Sequence, residues 1–371
     1  MNKVKEENYE WADLLKINWR PAGYEIVLLI FGLISIAFVS TTPLHFSTAL
    51  ASVFVYQAVK VTLYVYLLAA LVTLVKGAAF FIKEGKSSFN KHAIIKIIYP
   101  YWSLGFFILT IRRALAVFGV FYFFLHLKHV ILFINKSNFD LFLWNLDRLL
   151  HFGVQPNVWM MESFGLNHDF SIAVDWLYIK YFKYMQIACL LFFLEPKGRK
   201  FSEKFFMAFT LLWSLGGLTY LAAPADGPCY AILADYSTPK DTRNHIFKFP
   251  VIDKIPEDYA RSYSESKIWY AKSFQNALWV SRSRFLSDNG QPGMFYGIAA
   301  MPSLHVAVVV LIALFFFPVS SILGVIGSLY AVIMFIGSVL LQWHYAVDGY
   351  AGVALALIVW RLSFILGRPE R

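Results

Sequence analysis

Long apolar runs separated by short polar or basic stretches organise this chain. With a membrane span taken as about 20 residues, the pattern predicts about eight crossing helices. The first is near Tyr24–Val39. The second lies within Ala49–Ile82, which is long enough for tilt or a flanking interfacial turn. A third lies within His92–Ile134, where Arg112 and Arg113 either face a polar interior or snorkel at an end. Ser171–Leu194 and Phe205–Ala223 give the fourth and fifth, and a polar loop follows from Pro224 to Ala299. The last three are near Met301–Phe317, Ile322–Leu341 and Tyr345–Leu366. Asn138–Leu166 has a different rhythm. There, Asp140 and Asp147 break an apolar face formed by Leu143, Trp144, Leu146, Leu149, Leu150 and Phe152. That pattern predicts an amphipathic helix lying in the interface and ending at Gly153-Val154-Gln155-Pro156. The expected fold class is therefore an all-α, polytopic transmembrane helical protein.

Composition agrees with this pattern. The 371 residues are 58% hydrophobic and 15% charged, against about 25% charged in soluble domains. Trp and Tyr suit interfacial belts, and the many Phe suit lipid-facing surfaces. The formal net charge of +10 is carried largely in short loops between apolar runs. Basic residues placed there act as topology signals and contacts for anionic lipid. No basic domain stands apart from the spans, so no nucleic-acid partner is expected. The N-terminal residues 1–20 are polar and charged and do not read as a signal peptide. Cys189 lies inside an apolar run and Cys229 just beyond one, so a disulfide between them is not expected.

Orientation follows from the short basic loops. Glu195-Pro196-Lys197-Gly198-Arg199-Lys200 is the densest and is expected on the cytoplasmic side, with Lys83, Lys86, Lys91 and Lys96. Loop 224–299 then faces the periplasm, cell exterior or organelle lumen. The sixth and eighth spans both enter from that side.

This topology matters because each of those two spans opens on a histidine motif. The first is Met301-Pro302-Ser303-Leu304-His305, and the second is His344-Tyr345-Ala346-Val347-Asp348. At i and i+4 on a helix, His344 and Asp348 would share a face. A carboxylate can fix the tautomer of a histidine and leave its other nitrogen as a nucleophile. Pro302-Ser303 reads as a helix start, whose first-turn amides favour an anion, with His305 placed to protonate a leaving oxygen. Taken singly, each motif also reads as helix capping at the interface. His126 and His129 stand at i and i+3 without an evident third metal ligand. Asp226-Gly227-Pro228 reads as a turn.

With both histidine motifs in this order, the chain resembles the type 2 phosphatidic acid phosphatase superfamily. Met301–His305, Trp343–Asp348 and the upstream Leu146-Asp147-Arg148-Leu149-Leu150-His151-Phe152-Gly153 make it most like the inositol phosphorylceramide synthase branch. The resemblance spans roughly residues 138–352. It implies His344 as nucleophile, Asp348 as its orienting carboxylate, His305 as general acid, and no metal or other cofactor. It also implies a six-helix core within residues 91–371, preceded by two accessory spans within 1–90. Two features of the superfamily are missing. The arginine six residues before the nucleophile is Ser338 here, and the Lys…Arg-Pro motif of an earlier helix has no match. A phosphate still needs cations. The candidates are Arg282, Arg284, Arg243 and Lys240 of the long loop, and Arg112 and Arg113 in the third span, with Ser303 at the helix start. The expected partners are a phospholipid or lipid phosphate donor, an alcohol or water acceptor, and membrane lipids. The expected function is a membrane phosphotransferase working through a phosphohistidine. A lipid phosphate phosphatase and a non-enzymatic lipid transporter or binder are the alternatives.

Overall fold

The computed structural model describes residues 11–85, 90–135, 137–195, 199–237, 256–287 and 301–366. Among these the regular structure is helical. Six helices are long and apolar enough to cross a membrane, and two shorter apolar helices accompany them. This is the expected all-α membrane architecture, with several predicted spans divided differently.

Helices α1 (Gly23–Ser40) and α2 (Thr48–Glu84) come first. Ser47 caps α2 by accepting from the Leu50 amide at 3.1 Å. At about 1.5 Å per residue, α2 is about 55 Å long, well beyond the roughly 30 Å hydrocarbon layer. The third predicted span is two helices, α3 (Lys91–Trp102) and α4 (Leu104–Ile134). Pro100 weakens the end of α3, and Ser103 starts α4 by accepting from Phe106 N at 3.2 Å.

The predicted amphipathic helix ends just ahead of Gly153-Val154-Gln155-Pro156, as expected, and a further short helix follows it. It is α5 (Asp140–Leu150), and after it comes α6 (Pro156–Met160), which runs into a π-turn at Met161–Gly165. Phe152 and Gly153, at φ 56° and 92°, turn the chain between them. The fourth predicted span divides at Lys180 into α7 (His168–Ile179) and α8 (Tyr181–Phe193). Asn167 caps α7 by accepting from Phe170 N through its side chain. Next come α9 (Arg199–Ala222) and, within the long polar loop, α10 (Pro228–Ser237), α11 (Glu257–Glu265) and α12 (Tyr270–Ser287). The last three helices are α13 (Leu304–Phe316), α14 (Ser321–Leu340) and α15 (Ala346–Leu366).

The centre of the bundle is α9 with α13. Ten residues of α13 are buried, including Val306, Val309, Ile312 and Phe315. Helices α4, α8, α14 and α15 pack around this pair, with α1 against α4 and α9, and α2 outside α4. Most of the apolar window of α2 stays exposed, as a lipid-facing helix requires. Gly352 sets the closest approach at the centre. A Cβ there would stand 2.5 Å from the Ser303 backbone oxygen, so α15 touches the start of α13 backbone to backbone. Cys189 and Cys229 are buried free thiols.

Candidate active site

The two histidine motifs meet at one end of this bundle. Asn135, after α4, donates to Leu221 O near the end of α9 at 2.9 Å. Tyr220, on α9, donates to Pro302 O at 3.0 Å. Ser303 N donates to Asp348 O at 2.9 Å, joining the starts of α13 and α15. The ends of α4, α9 and α14 and the starts of α13 and α15 therefore share one level.

At that level the His305 and His344 rings lie with centroids 6.0 Å apart. His344 Nδ1 is 3.5 Å from Asp348 Oδ2. That contact is longer than a hydrogen bond, as catalytic contacts often are before substrate arrives. His344 does not sit on the helix, as its i,i+4 spacing suggested. It lies two residues before α15, in a turn whose Gln342 has φ 64°. Its amide donates to Ser338 O at 3.0 Å, and its carbonyl accepts from buried Asn157 Nδ2 at 2.9 Å. Asp348 is fully buried in the first turn of α15 and accepts from Tyr345 N through Oδ2 at 2.9 Å. Its Oδ1 has no hydrogen-bond partner among the described residues.

A set of buried aspartates holds this turn. The acids of α5 face inward instead of forming a wetted stripe. Asp147 accepts from Ala346 N and Val347 N, both at 2.8 Å, which satisfies amides the start of α15 would otherwise leave open. Burial raises its carboxyl to about 6, against the opposing pull of those two amides. Asp140 accepts from Asp226 N, Gly227 N and the Tyr345 hydroxyl, each at 2.8 Å. Its carboxyl is also pushed up to about 6, first by burial and then by Asp226. Gly227, at φ 91°, makes the expected turn at Asp226-Gly227-Pro228. Asp175 accepts from Trp269 N, Tyr270 N and Ala271 N at 2.7–2.9 Å, fastening α12 onto α7.

Aromatic side chains enclose His305. Tyr181, Tyr178 and Phe182 have ring centroids 4.7, 5.8 and 6.5 Å from it. The Tyr178 and Tyr181 hydroxyls are buried, with no hydrogen-bond partner among the described residues. Lys128, on α4, is within electrostatic reach of His305.

The remaining site candidates are distributed differently. Ser303 is buried and acts as the N-cap of α13, its side chain accepting from Val306 N. Arg112 and Arg113 serve the opposite end of the bundle. Arg112 pairs with Glu25, and Arg113 lies 3.0 Å from Glu195, which takes both away from the histidine pair. Arg282 and Arg284 fall in the last turns of α12, with side chains outside the described residues, and Arg243 and Lys240 lie outside them altogether. At Ser338, where the superfamily carries arginine, the residue is buried and its carbonyl holds the His344 amide. His126 is occupied by hydrogen bonds, with Nδ1 on Tyr122 O at 2.7 Å and Nε2 accepting from Ser47 N at 2.9 Å. Among the described residues no group of three His, Cys, Asp or Glu side chains is placed to hold a metal ion.

Sequence reasoning did not assign a part to Lys128, Asn157, Tyr178, Tyr181 or Asp147. Asp147 alone carried a signal, as a member of the Leu146–Gly153 segment that supports the family resemblance.

An integral membrane protein with paired histidines and a buried carboxylate at one end of a helix bundle is what these features define. Residues 141–362, well over half of the chain, match the family model of the PAP2 superfamily, and the chain belongs to that superfamily. Its general function is accordingly of the lipid phosphatase or phosphotransferase type. Comparison with curated proteins and with solved structures finds no match.

Proposed function

We propose that this protein is a membrane phosphotransferase that moves a phospho-headgroup from a lipid-linked donor to an alcohol through a phosphohistidine. The observation that carries the reading is the joint placement of His305, His344 and Asp348, with the two rings 6.0 Å apart and the carboxylate 3.5 Å from His344 Nδ1. With Nδ1 turned to Asp348, His344 Nε2 attacks phosphorus. The bond from phosphorus to the leaving oxygen breaks, and His305 gives that oxygen its proton. An acceptor hydroxyl then returns its proton to His305 and bonds to phosphorus as the nitrogen–phosphorus bond breaks. No step draws on a metal.

Two features favour an alcohol over water as acceptor. Ser338 stands where the superfamily's phosphatases carry an arginine. Helices α10 and α12, in the segment that links α9 to α13, pack against each other, with α12 held on α7, and they offer a surface for a second substrate. Helix α13, at about 20 Å, is shorter than the hydrocarbon layer, which suits a substrate presented from lipid.

The test uses purified protein in detergent with chelator and labelled phospholipids or lipid phosphates, with and without inositol, glycerol, ceramide or diacylglycerol. Label appearing in a new product only when acceptor is present supports the transferase. Free phosphate released regardless of acceptor overturns it in favour of a phosphatase.

A further inference from the structure

Any group handled by His305 and His344 as a phosphoryl centre is an anion, and the described arginines of α4 are committed to glutamates at the far end of the bundle. Helix α4 carries another cation at the near end. Lys128 lies about 22 Å beyond Arg113 along the helix, at about 1.5 Å per residue.

Its helical neighbours fix where it stands. One turn earlier, the Phe124 ring packs 5.9 Å from Tyr220, whose hydroxyl holds Pro302 O. Two turns later, Asn135 donates to Leu221 O. Residues so spaced share a helix face. Lys128 therefore lies on the side of α4 that meets the end of α9, beside the Pro302-Ser303 turn. Lys128 and His344 both act electrostatically on His305. Lys128 is half-buried, and among the described residues its ammonium has neither a hydrogen bond nor an ion pair. A partly desolvated ammonium without a counter-charge is costly. A phosphoryl group between the two histidines removes that cost.

We propose that Lys128 is a phosphate-binding residue of this site, its ammonium contacting a nonbridging oxygen of the phosphoryl group that His344 attacks. The inference rests on the phosphoryl-transfer reading above. It brings α4, which precedes the family-matched segment, into the working site. Lysine suits the task as a compact point charge that follows the oxygen as negative charge gathers on it. No covalent bond to Lys128 forms or breaks.

The test compares wild type with Lys128→Met, neutral and of similar length, and Lys128→Arg, which keeps the charge. Lys128→Gln is read in the same way, so that one unfolded variant does not decide the matter. Two readouts are taken on detergent-solubilised protein: kcat/KM on the substrate found above, and the rise in thermal midpoint produced by inorganic phosphate or orthovanadate. The neutral variants should lose about 100-fold in kcat/KM, as when one charge-stabilising donor is removed, and should lose the anion-induced rise. Lys128→Arg should keep the rise and recover at least about a tenth of the rate. Neutral variants within about threefold of wild type, with the rise intact, overturn the role of Lys128 and leave the site reading standing. An arginine variant as poor as methionine also overturns it. A wild type that neither turns over any donor nor responds to either anion overturns the site reading itself.

Discussion

Asp147→Ala tests whether a buried carboxylate on α5 sets the geometry of the histidine turn. In the wild type Asp147 is fully buried and its two oxygens accept from Ala346 N and Val347 N at 2.8 Å. Each hydrogen bond to a charged group contributes about 1.5–3 kcal/mol. Alanine leaves both amides without an acceptor, beside His344 and Asp348. Removing the carboxylate also removes the cost of burying it, so the net effect is set at one bond's worth, about 1.5–3 kcal/mol of local opening free energy. Since about 1.4 kcal/mol is a tenfold change, amides 346 and 347 should exchange hydrogen about 10–150 times faster. Hydrogen exchange read by mass spectrometry on peptides covering 343–350 measures this without any substrate. Peptides from the middle of α13 serve as control and should not change. If the 343–350 peptide exchanges at the wild-type rate in Asp147→Ala, the carboxylate does not hold the turn and the reasoning fails.

Other expectations follow from the same geometry. His344→Ala should abolish turnover with the thermal midpoint unchanged, and retention of more than about a tenth of the rate excludes it as nucleophile. Asp348→Asn keeps an acceptor for Tyr345 N but removes the charge facing His344, so kcat should fall at least about 100-fold, read by initial rates. Gly352→Ala drives a Cβ to 2.5 Å from Ser303 O and should cost about 1–3 kcal/mol, seen as a lower thermal midpoint, while an unchanged midpoint refutes the close approach. The pH dependence has a definite sign. Burial raises the Asp147 carboxyl from 3.8 to about 6, so the folded chain binds that proton more tightly than the unfolded one. Its contribution to stability is largest below the unfolded value and is lost as pH rises through about 6, by up to about 3 kcal/mol. A thermal midpoint series from pH 4 to pH 7 should show this fall, and it should flatten in Asp147→Asn.

The apolar periodicity of the sequence determined the all-α membrane class, because a chain in lipid must satisfy its backbone within helices. It also located α1, α14 and α15 to within a residue or so, and α9 apart from its first six residues, since these are long, strongly apolar and bounded by polar loops. The histidine motifs were legible for the same local reason, each standing where an apolar run begins. Breaks inside apolar runs were not legible. The turns at Ser103 and Lys180 interrupt segments whose composition alone supports one helix, whereas the stop at Gly153–Pro156 was marked by its glycine and proline. Side-chain direction was the larger gap. Asp140 and Asp147 have the spacing of a wetted stripe, yet they point inward because the starts of α10 and α15 bring open amides to them. Arg112 and Lys128 lie on one apolar helix, and their sequence surroundings do not distinguish them. Packing decides that one meets Glu25 at one end of the bundle while the other comes within electrostatic reach of His305 toward the opposite end. Local pattern fixes what a segment can bury, and only the neighbours supplied by the tertiary fold fix which of its polar groups find partners.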